Sequence, residues 1–452
     1  MRHRCARWLL SGLFFLSFAC HAQAADPGKP LTLDEALAAA DAPHPELRAA
    51  EARRDAASAD ARLADTVQDL SVALEGRLAG GDPTVGDDGF TADNSVRLTA
   101  RKNLYDFGRS SAARQAAQFE LQARQSQLLD VRQQRRIEIM SRFFDVLLAD
   151  LQFAADDELM AIAYVNFDHA RDRLETGQIS RVDLAELEAR YQDQRLKREA
   201  SDQRRRISRA LLANAMNRPG DLPDTLEDPK LSGNDRPLPE YEALIPVMLA
   251  DNPRLRAQRD LLAAEQGRLE SIRADTRPLL DAEAEAGDYS RTSSTRNRLS
   301  AGVVLSWPLY QGGRVDARLA REQARFQGLQ AGVAKLKMDL TQALLETYLE
   351  IERLRQVARQ AAKKQAYYRD LALEKARGQY EVELKTDLGD SMAQTVEATL
   401  RQRRTEYRLA LAIARLEALL GKPLEETAGG DGTDQSGHAR SARPGAGGEA
   451  AP

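Results

Sequence analysis

The chain has 452 residues, of which 42% are apolar, 30% charged and 5% aromatic, and 65 basic against 69 acidic residues give a formal charge of −4. This near balance of charge argues against a nucleic-acid-binding protein, which normally carries a basic patch or stripe. After the first twenty residues no run of 18 or more apolar residues occurs, so the sequence predicts no transmembrane helix there. Any role in a membrane has to rest on another architecture.

Residues 1–24 have the features of a secretory signal peptide. Three arginines precede a short apolar run and a small-x-small cleavage site: Arg2, Arg4, Arg7, residues 8–19 and Ala22-Gln23-Ala24. Cleavage after Ala24 would leave 62 basic against 69 acidic residues, a formal charge of −7, and would remove both cysteines. An exported chain without cysteine cannot depend on disulfides, thiolate metal sites or a cysteine nucleophile. The alternative is a lipidated Cys20, although the residues before it fit a lipoprotein cleavage site poorly.

Four short motifs occur twice, in the same order and at offsets of 204 to 208 residues. The pairs are His44-Pro45-Glu46-Leu47-Arg48 with Asn252-Pro253-Arg254-Leu255-Arg256, Asn103-Leu104-Tyr105-Asp106-Phe107-Gly108-Arg109 with Pro308-Leu309-Tyr310-Gln311-Gly312-Gly313-Arg314, Asp183-Leu184 with Asp387-Leu388, and Asn217-Arg218-Pro219 with Gly421-Lys422-Pro423. This pattern indicates an internal duplication. We expect one unit at 25–226 and a second at 238–424, joined by a proline-containing linker at 227–237. Residues 425–452, rich in Gly, Ala and Ser, read as a disordered tail.

Each unit is predicted to begin with helices. Thr32 and Glu35 have the spacing of a capping box ahead of an alanine-rich run. A longer helix is expected after Pro45, and the repeat places its counterpart after Pro253.

The hydrophobic period then changes from helical to two, which predicts amphipathic strands. Alternating apolar residues cover 69–78 and 96–101 in the first unit, and 280–286 and 299–307 in the second. Strands of about ten residues match the length of a tilted bilayer-spanning strand. If their apolar faces meet lipid, the sheet has to close into a barrel, and four strands are too few, so several chains must contribute. The alternative, two surface hairpins on a helical protein, leaves marginal strands with exposed edges.

A long helical hairpin is expected to end each unit. Residues 110–174 would form a continuous helix of roughly 97 Å at ~1.5 Å per residue, with an apolar stripe that includes Ile137 and Leu148. A similar stripe at helical spacing runs from Phe326 to Leu354 in the second unit. The chain turns near Gly177 and Glu381, and a second helix returns from each turn. By itself this pattern is equally typical of a soluble antiparallel coiled coil.

This duplicated order of elements resembles the TolC-type outer-membrane efflux family over residues 31–424. The motif between strand and long helix contributes Leu104, Tyr105, Gly108 and Arg109 in the first unit and Leu309, Tyr310, Gly313 and Arg314 in the second. The resemblance implies a mainly α fold with a small β-barrel contribution. It further implies a homotrimer in which twelve strands close one barrel in outer-membrane lipid and the helices continue as a tube across the periplasm. Such channels export solutes when docked to a periplasmic adaptor protein and an inner-membrane pump.

The candidate site lies at the hairpin tips, where carboxylates occur three residues apart in both units: Asp183 with Glu186, and Asp387 with Asp390. Threefold symmetry would turn each carboxylate into a ring, which favours cations and gates the pore. The resemblance also assigns tip and adaptor contacts to Gly177, Arg181 and Lys385. The alternative is that acidic residues at a helix start simply complement the helix dipole. The second tip departs from the family, because Glu381 or Glu383 lies where glycine is usual.

Enzyme functions find little support, since the sequence has no phosphate-binding glycine loop and no nucleophile motif. No catalytic residues, cofactor or metal site are predicted, because His44, His169 and His438 have no ligand spacing. The competing function is a periplasmic coiled-coil scaffold or adaptor protein. Drugs, metal ions and proteins all remain open as exported substrates.

Overall fold

The computed structural model describes residues 29–82, 89–221, 225–290, 297–381 and 388–425. The predicted signal peptide with Cys5 and Cys20, nearly all of the predicted tail, and the site residues Lys385 and Asp387 lie outside these ranges. Within them the protein is mainly helical.

The two units share one order of main elements: two helices, two long strands and a long helical hairpin. The first has α1 (Leu33–Ala38), α2 (Pro45–Asp65), β1 (Ser71–Arg77), the short β2 (Gly80–Gly81) and β3 (Thr91–Ala92), β4 (Ser95–Tyr105), α3 (Arg109–Glu175) and α4 (Arg181–Ala215). The second has α5 (Tyr241–Asp251), α6 (Pro253–Ala274), β5 (Leu279–Tyr289), β6 (Leu299–Ser306), α7 (Arg314–Arg353), a π-helical segment (Leu354–Ala358), α8 (Arg359–Glu381) and α9 (Leu388–Leu420).

The helix-start signals of the sequence act as predicted. The Thr32 hydroxyl accepts a hydrogen bond from the Glu35 N–H at 3.2 Å, and the Glu35 carboxylate accepts one from the Thr32 N–H at 3.1 Å. Pro45 and Pro253 both occupy the first turn of their helices. Their missing N–H costs nothing there, because the first N–H groups of a helix have no partner within it.

The four main strands form one antiparallel sheet in the order β1-β4-β5-β6. The pairing places Leu74 beside Leu98, Leu98 beside Ala286 and Ala286 beside Leu299, so the apolar residues of all four strands line up on one face. Pairing of β4 with β5 joins the hairpins of the two units. Because the side-chain period of a strand is two, this single register places most apolar side chains on one face and most charged ones on the other, with Lys102 and Asp288 as exceptions on the apolar face.

Opposite charges on neighbouring strands meet across the polar face of the sheet. Arg97 pairs with Glu75 at 2.9 Å, and Arg101 pairs with Glu283 at 2.5 Å. The amide of Asn103 donates to Asp281 at 2.9 Å. These cross-strand pairs fix the same register that the apolar face requires.

The long helices α3, α4, α7, α8 and α9 pack together below the sheet, and we call them the shaft. Helix α3 runs unbroken for 67 residues, about 100 Å at ~1.5 Å per residue, as the sequence predicts. The corresponding stretch of the second unit is interrupted by the π-helical segment, which the sequence did not reveal. Among the described helices none combines the length and apolarity that a membrane span requires.

A layer of short elements covers one side of the shaft at mid-height. We call α1, α5 and residues 225–240 the belt. Leu31 and Leu226 form a parallel bridge, and the Asn234 amide donates to the main-chain carbonyl of Glu406 at 3.0 Å. These contacts join the belt to itself and to the shaft.

The core face of α3 is the face that the belt covers. The side chains of α3 that are buried there include Ile139, Phe143 and Val146. Ile137 and Leu148, which belong to the apolar stripe predicted for this helix, are only partly buried. Phe144 and Ala155 of the same predicted stripe are 1% and 0% exposed, so the stripe overlaps the core face in part. The belt encloses further apolar residues of α3 that the stripe did not include.

Candidate functional site

The motif that leads from strand to long helix depends on glycine backbone freedom. Gly108 and Gly313 are the N-caps of α3 and α7, with φ of +94° and +73°. A side chain is strained in this left-handed region, so glycine allows the chain to turn from the sheet into the shaft. The following arginines, Arg109 and Arg314, begin the helices.

A carboxylate that the sequence did not single out joins the two units at this junction. Asp275 follows α6, and its side chain is 10% exposed. One of its oxygens lies 3.0 Å from Arg109 and the other lies 2.8 Å from Arg318, so it binds both long helices. Arg277 adds a hydrogen bond to the Phe107 carbonyl at 2.7 Å. Only the folded chain brings the two units together here, because more than 150 positions separate Asp275 from Arg109 in sequence.

Large apolar and aromatic side chains are exposed around the same junction. Leu309 is 81% exposed and Tyr310 is 87% exposed, and Leu104, Tyr105 and Trp307 are also exposed. The Trp307 indole N–H donates to the Thr276 carbonyl at 3.2 Å. Tyr and Trp at the end of an apolar strand face are typical of the boundary between a membrane and water.

At the first hairpin tip, helix α3 ends in a glycine cap. Gly177 has φ of +71°, its N–H donates to the Leu174 carbonyl at 2.9 Å, and the Gln178 N–H donates to the Arg173 carbonyl at 2.8 Å. This pair of bonds is a Schellman motif. Gly177 therefore has a structural reason to be glycine, whatever the tip contacts.

Asp183 lies in a capping box at the start of α4. Its carboxylate accepts hydrogen bonds from the Ser180 hydroxyl at 2.8 Å and the Ser180 N–H at 3.0 Å, and its own N–H donates back to the hydroxyl at 3.2 Å. The hydroxyl bond, with the N–H bond, holds the pKa of Asp183 below its usual value. Glu186, one turn later, pairs with Arg190 at 2.5 Å. Both carboxylates are thus engaged locally, and Arg181 beside them is exposed.

Asp390 lies in the first turn of α9 and is exposed. The adjacent Gly389 fits closely against α3, since an added Cβ would lie 3.0 Å from the Ile162 side chain. Helix α3 continues about 13 residues beyond Ile162 to the first tip, roughly 20 Å at ~1.5 Å per residue. Within one chain the structure therefore does not bring Asp390 together with Asp183.

Two buried carboxyl groups between α6 and α7 also went unnoticed in the sequence. Glu265 and Glu322 are 2% and 3% exposed, and Arg268 and Arg325 pair with them at 2.9 Å each. Burial raises the pKa of Glu265, whereas hydrogen bonds from Glu265 and the arginines outweigh burial at Glu322 and lower its pKa to about 2. This arrangement links helices of the second unit, and Glu322, Arg268 and Arg325 line a cavity of about 470 Å³ there.

Comparison with known proteins places this geometry in one family. The sequence profile described as outer membrane efflux protein matches residues 36–218 and 244–422. Protein CyaE of Bordetella pertussis is 28% identical over 341 residues, covering 73% of this chain and 69% of that protein.

Solved outer-membrane channels share the fold. The outer membrane protein VceC of Vibrio cholerae superposes with a TM-score of 0.70 at 17% identity, over 86% of this chain and 96% of that one. The outer membrane channel MtrE of Neisseria gonorrhoeae, in its open state, gives 0.67 at 18% identity, over 87% and 89% of the chains.

Proposed function

The chain belongs to the outer membrane efflux protein family, and from this premise we propose that three copies form one export channel through the outer membrane. The four strands of each copy contribute to a common barrel, and the helical shafts form a conduit on its periplasmic side. A periplasmic adaptor protein and an inner-membrane pump deliver the solute to the shaft. The family is one of channels, not of enzymes.

The observation that carries this proposal is a sheet with two open edges and a mainly apolar face that extends over all four strands. Within the described residues, β1 pairs only with β4, and β6 pairs only with β5. The apolar residues of both edge strands are exposed. In lipid an unpaired edge leaves main-chain groups without hydrogen bonds, at a cost of several kcal/mol each, so β6 of one copy is expected to pair with β1 of the next.

The edge can be tested at one main-chain position. The Gly287 N–H donates to the Arg298 carbonyl at 2.9 Å, and bonded pairs recur at every second residue of an antiparallel ladder. Ala301 stands opposite Ala284 and is three residues after Arg298, an odd number, so this is a non-hydrogen-bonded position of the ladder. The Ala301 N–H therefore points away from β5. An Ala301→Pro substitution therefore removes an N–H that only a neighbouring copy would use.

We expect the A301P protein to keep its helical circular dichroism but to lose its trimer in detergent, measured by size exclusion with light scattering. Ala301→Val is the matched control, because it keeps the N–H, and it is expected to remain trimeric. If A301P is as trimeric as A301V, β6 does not pair with another copy. Recovery of the unaltered protein as a soluble periplasmic monomer would instead support the scaffold alternative.

We further propose that the hairpin tips gate the channel and contact the adaptor protein. Asp387 and Asp390 are the stronger gate candidates, because Asp183 already caps α4 and Glu186 already pairs with Arg190. Adaptor contact at the tips is assigned to the surfaces around Gly177, Arg181 and Lys385.

We also propose, from the sequence repeat, that residues 25–226 and 238–424 are the two repeated units of the chain.

A further inference from the structure

A recess of about 640 Å³ opens in the shaft between α3, α4, α7 and α9. Its floor is apolar, with Phe144, Leu148 and Leu411 among the lining residues. Four arginines also line it: Arg204, Arg404, Arg408 and Arg415. A volume between about 300 and 1,000 Å³ is the usual size of a small-molecule site.

These four arginines differ from their neighbours in having no acidic partner within the described part of the chain. On the same helices Arg205 pairs with Asp202 at 2.7 Å, and Arg403 pairs with Asp228 at 2.8 Å. The recess is also lined by Asp145 and Glu350, and Asp145 lies 3.7 Å from Arg142 outside the recess. The lining therefore carries a clear excess of positive charge above an apolar floor.

The arginines of α9 lie on the side of the shaft that faces away from the belt. Arg404, Arg408 and Arg415 are spaced by four and seven residues, which places them on one helix face. The belt contacts the opposite face, where Glu406 binds Asn234 and Ala410 packs with the α1 core. If the shaft forms a conduit, as the proposed function requires, the belt has to lie outside it, because an inner belt would obstruct the passage. The recess then opens into the conduit.

We propose that this recess binds amphipathic organic anions, such as aromatic sulfonates or carboxylates, during their passage through the channel. Guanidinium groups form paired hydrogen bonds with planar or tetrahedral anions and stack on aromatic rings. The apolar floor takes the hydrocarbon part of the same molecule. The inference rests on the proposed function only in placing the recess inside the conduit. Binding of the anion depends on the recess itself.

The test is isothermal titration of the full-length protein in an uncharged detergent with naphthalene-1-sulfonate. Naphthalene-1-methanol, which has the same ring without the charge, is the comparison probe. We expect the sulfonate to bind at least tenfold more tightly than the alcohol, with a preference that weakens as salt is raised. In the double variant Arg404→Gln, Arg408→Gln the preference should fall to within about twofold. The control Arg377→Gln, Arg401→Gln alters exposed arginines paired with Glu374 and Glu397 and should keep it.

Each other result is decisive against the proposal. No preference for the sulfonate, or an equal preference in the R404Q/R408Q variant, would exclude this recess as the site. Loss of the trimer in R404Q/R408Q alone would show that the arginines bind a neighbouring copy instead. Trimer mass and single-channel conductance of the unaltered protein separate the two proposals. A conducting trimer that does not bind sulfonate overturns only this inference, and a sulfonate-binding monomer overturns only the channel.

Discussion

At one equivalent position the two units adopt the same left-handed backbone conformation with different residues. Asn217 and Gly421 are equivalent in the repeat, and both take a left-handed backbone, with φ of +57° and +76°. The Asn217 amide uses this conformation to donate to the Pro43 carbonyl at 2.7 Å. At Gly421 an added Cβ would lie 2.3 Å from the Asp251 carbonyl oxygen. Asparagine is therefore suitable in the first unit but has no space in the second.

Exchange of the two residues gives an asymmetric prediction. Gly421→Asn should lower the free energy of unfolding by about 2–3 kcal/mol, because the main chain of Asp251 has to move. Asn217→Gly should cost only about 1 kcal/mol, the usual worth of one hydrogen bond. Denaturant unfolding in detergent, followed by circular dichroism, measures both. Equal losses would mean that the close contact at Gly421 is relieved without cost.

At the scale of elements, the linker between the units is held firmly by the shaft. Arg359, the first residue of α8 after the π-helical segment, pairs with Asp235 at 2.5 Å and with Glu406 at 2.6 Å. Its bond holds the pKa of Asp235 below the usual value. Arg359 thus joins α8 and α9 to the belt, and the side chain of its partner Glu406 is only 14% exposed. The connection between repeats is consequently part of the packed structure.

Removal of this arginine should loosen the belt. Arg359→Ala leaves the Glu406 carboxylate without its charged partner, and we expect a loss of about 2–3 kcal/mol in unfolding free energy. Hydrogen exchange at residues 230–236 should accelerate in the same variant. Arg377→Ala, which breaks only an exposed pair with Glu374, should change stability by less than about 1 kcal/mol. An unchanged exchange rate in R359A would show that the belt is held by its apolar contacts alone.

For the whole molecule, the two hairpin tips have unequal roles in the proposed gate. At the first tip, Gly177 caps the end of α3, and Ser180 and Asp183 together cap the start of α4. Helix α9, by contrast, begins with an exposed carboxylate at Asp390. Threefold repetition would bring the second set of carboxylates together and leave the first as a rigid end.

Planar-bilayer recording tests this difference. Asp387→Ala with Asp390→Ala should reduce the preference for cations over anions and weaken block by multivalent cations, since a ring of negative charge is removed. Asp34→Ala with Glu240→Ala, which removes the same charge from exposed residues of the belt, outside the proposed conduit, should leave both properties unchanged. Unaltered preference and block in D387A/D390A would end the proposal that these residues form the gate.

Local periodicity was sufficient to predict most elements of this protein. The period-two runs predicted all four long strands, and the uninterrupted helical pattern predicted α3 to within a residue at each end. Caps at Thr32 and Gly177 were predictable because they act on the next turn of chain only. The repeat placed the main helices and strands of the second unit, though not its π-helical segment, since equal motifs at an almost constant offset imply equal structure.

Contacts between distant segments were decided by the tertiary structure alone. The Asp275 junction, the Glu265–Glu322 pair and the Arg359 tie each join residues whose charge has no local signature. Only part of the core face of α3 was predicted for the same reason: Phe144 was in the predicted stripe, whereas Ile139 and Phe143 were not, and the position of α1 decides that they are enclosed. The sequence by itself therefore determined the type and order of the helices and strands through short-range periodicity, and the resemblance to the efflux family, carried by the repeated motifs, implied the channel fold. The tertiary structure decided which charges are paired and which, as in the arginine recess, are not, because pairing depends on distances that folding creates.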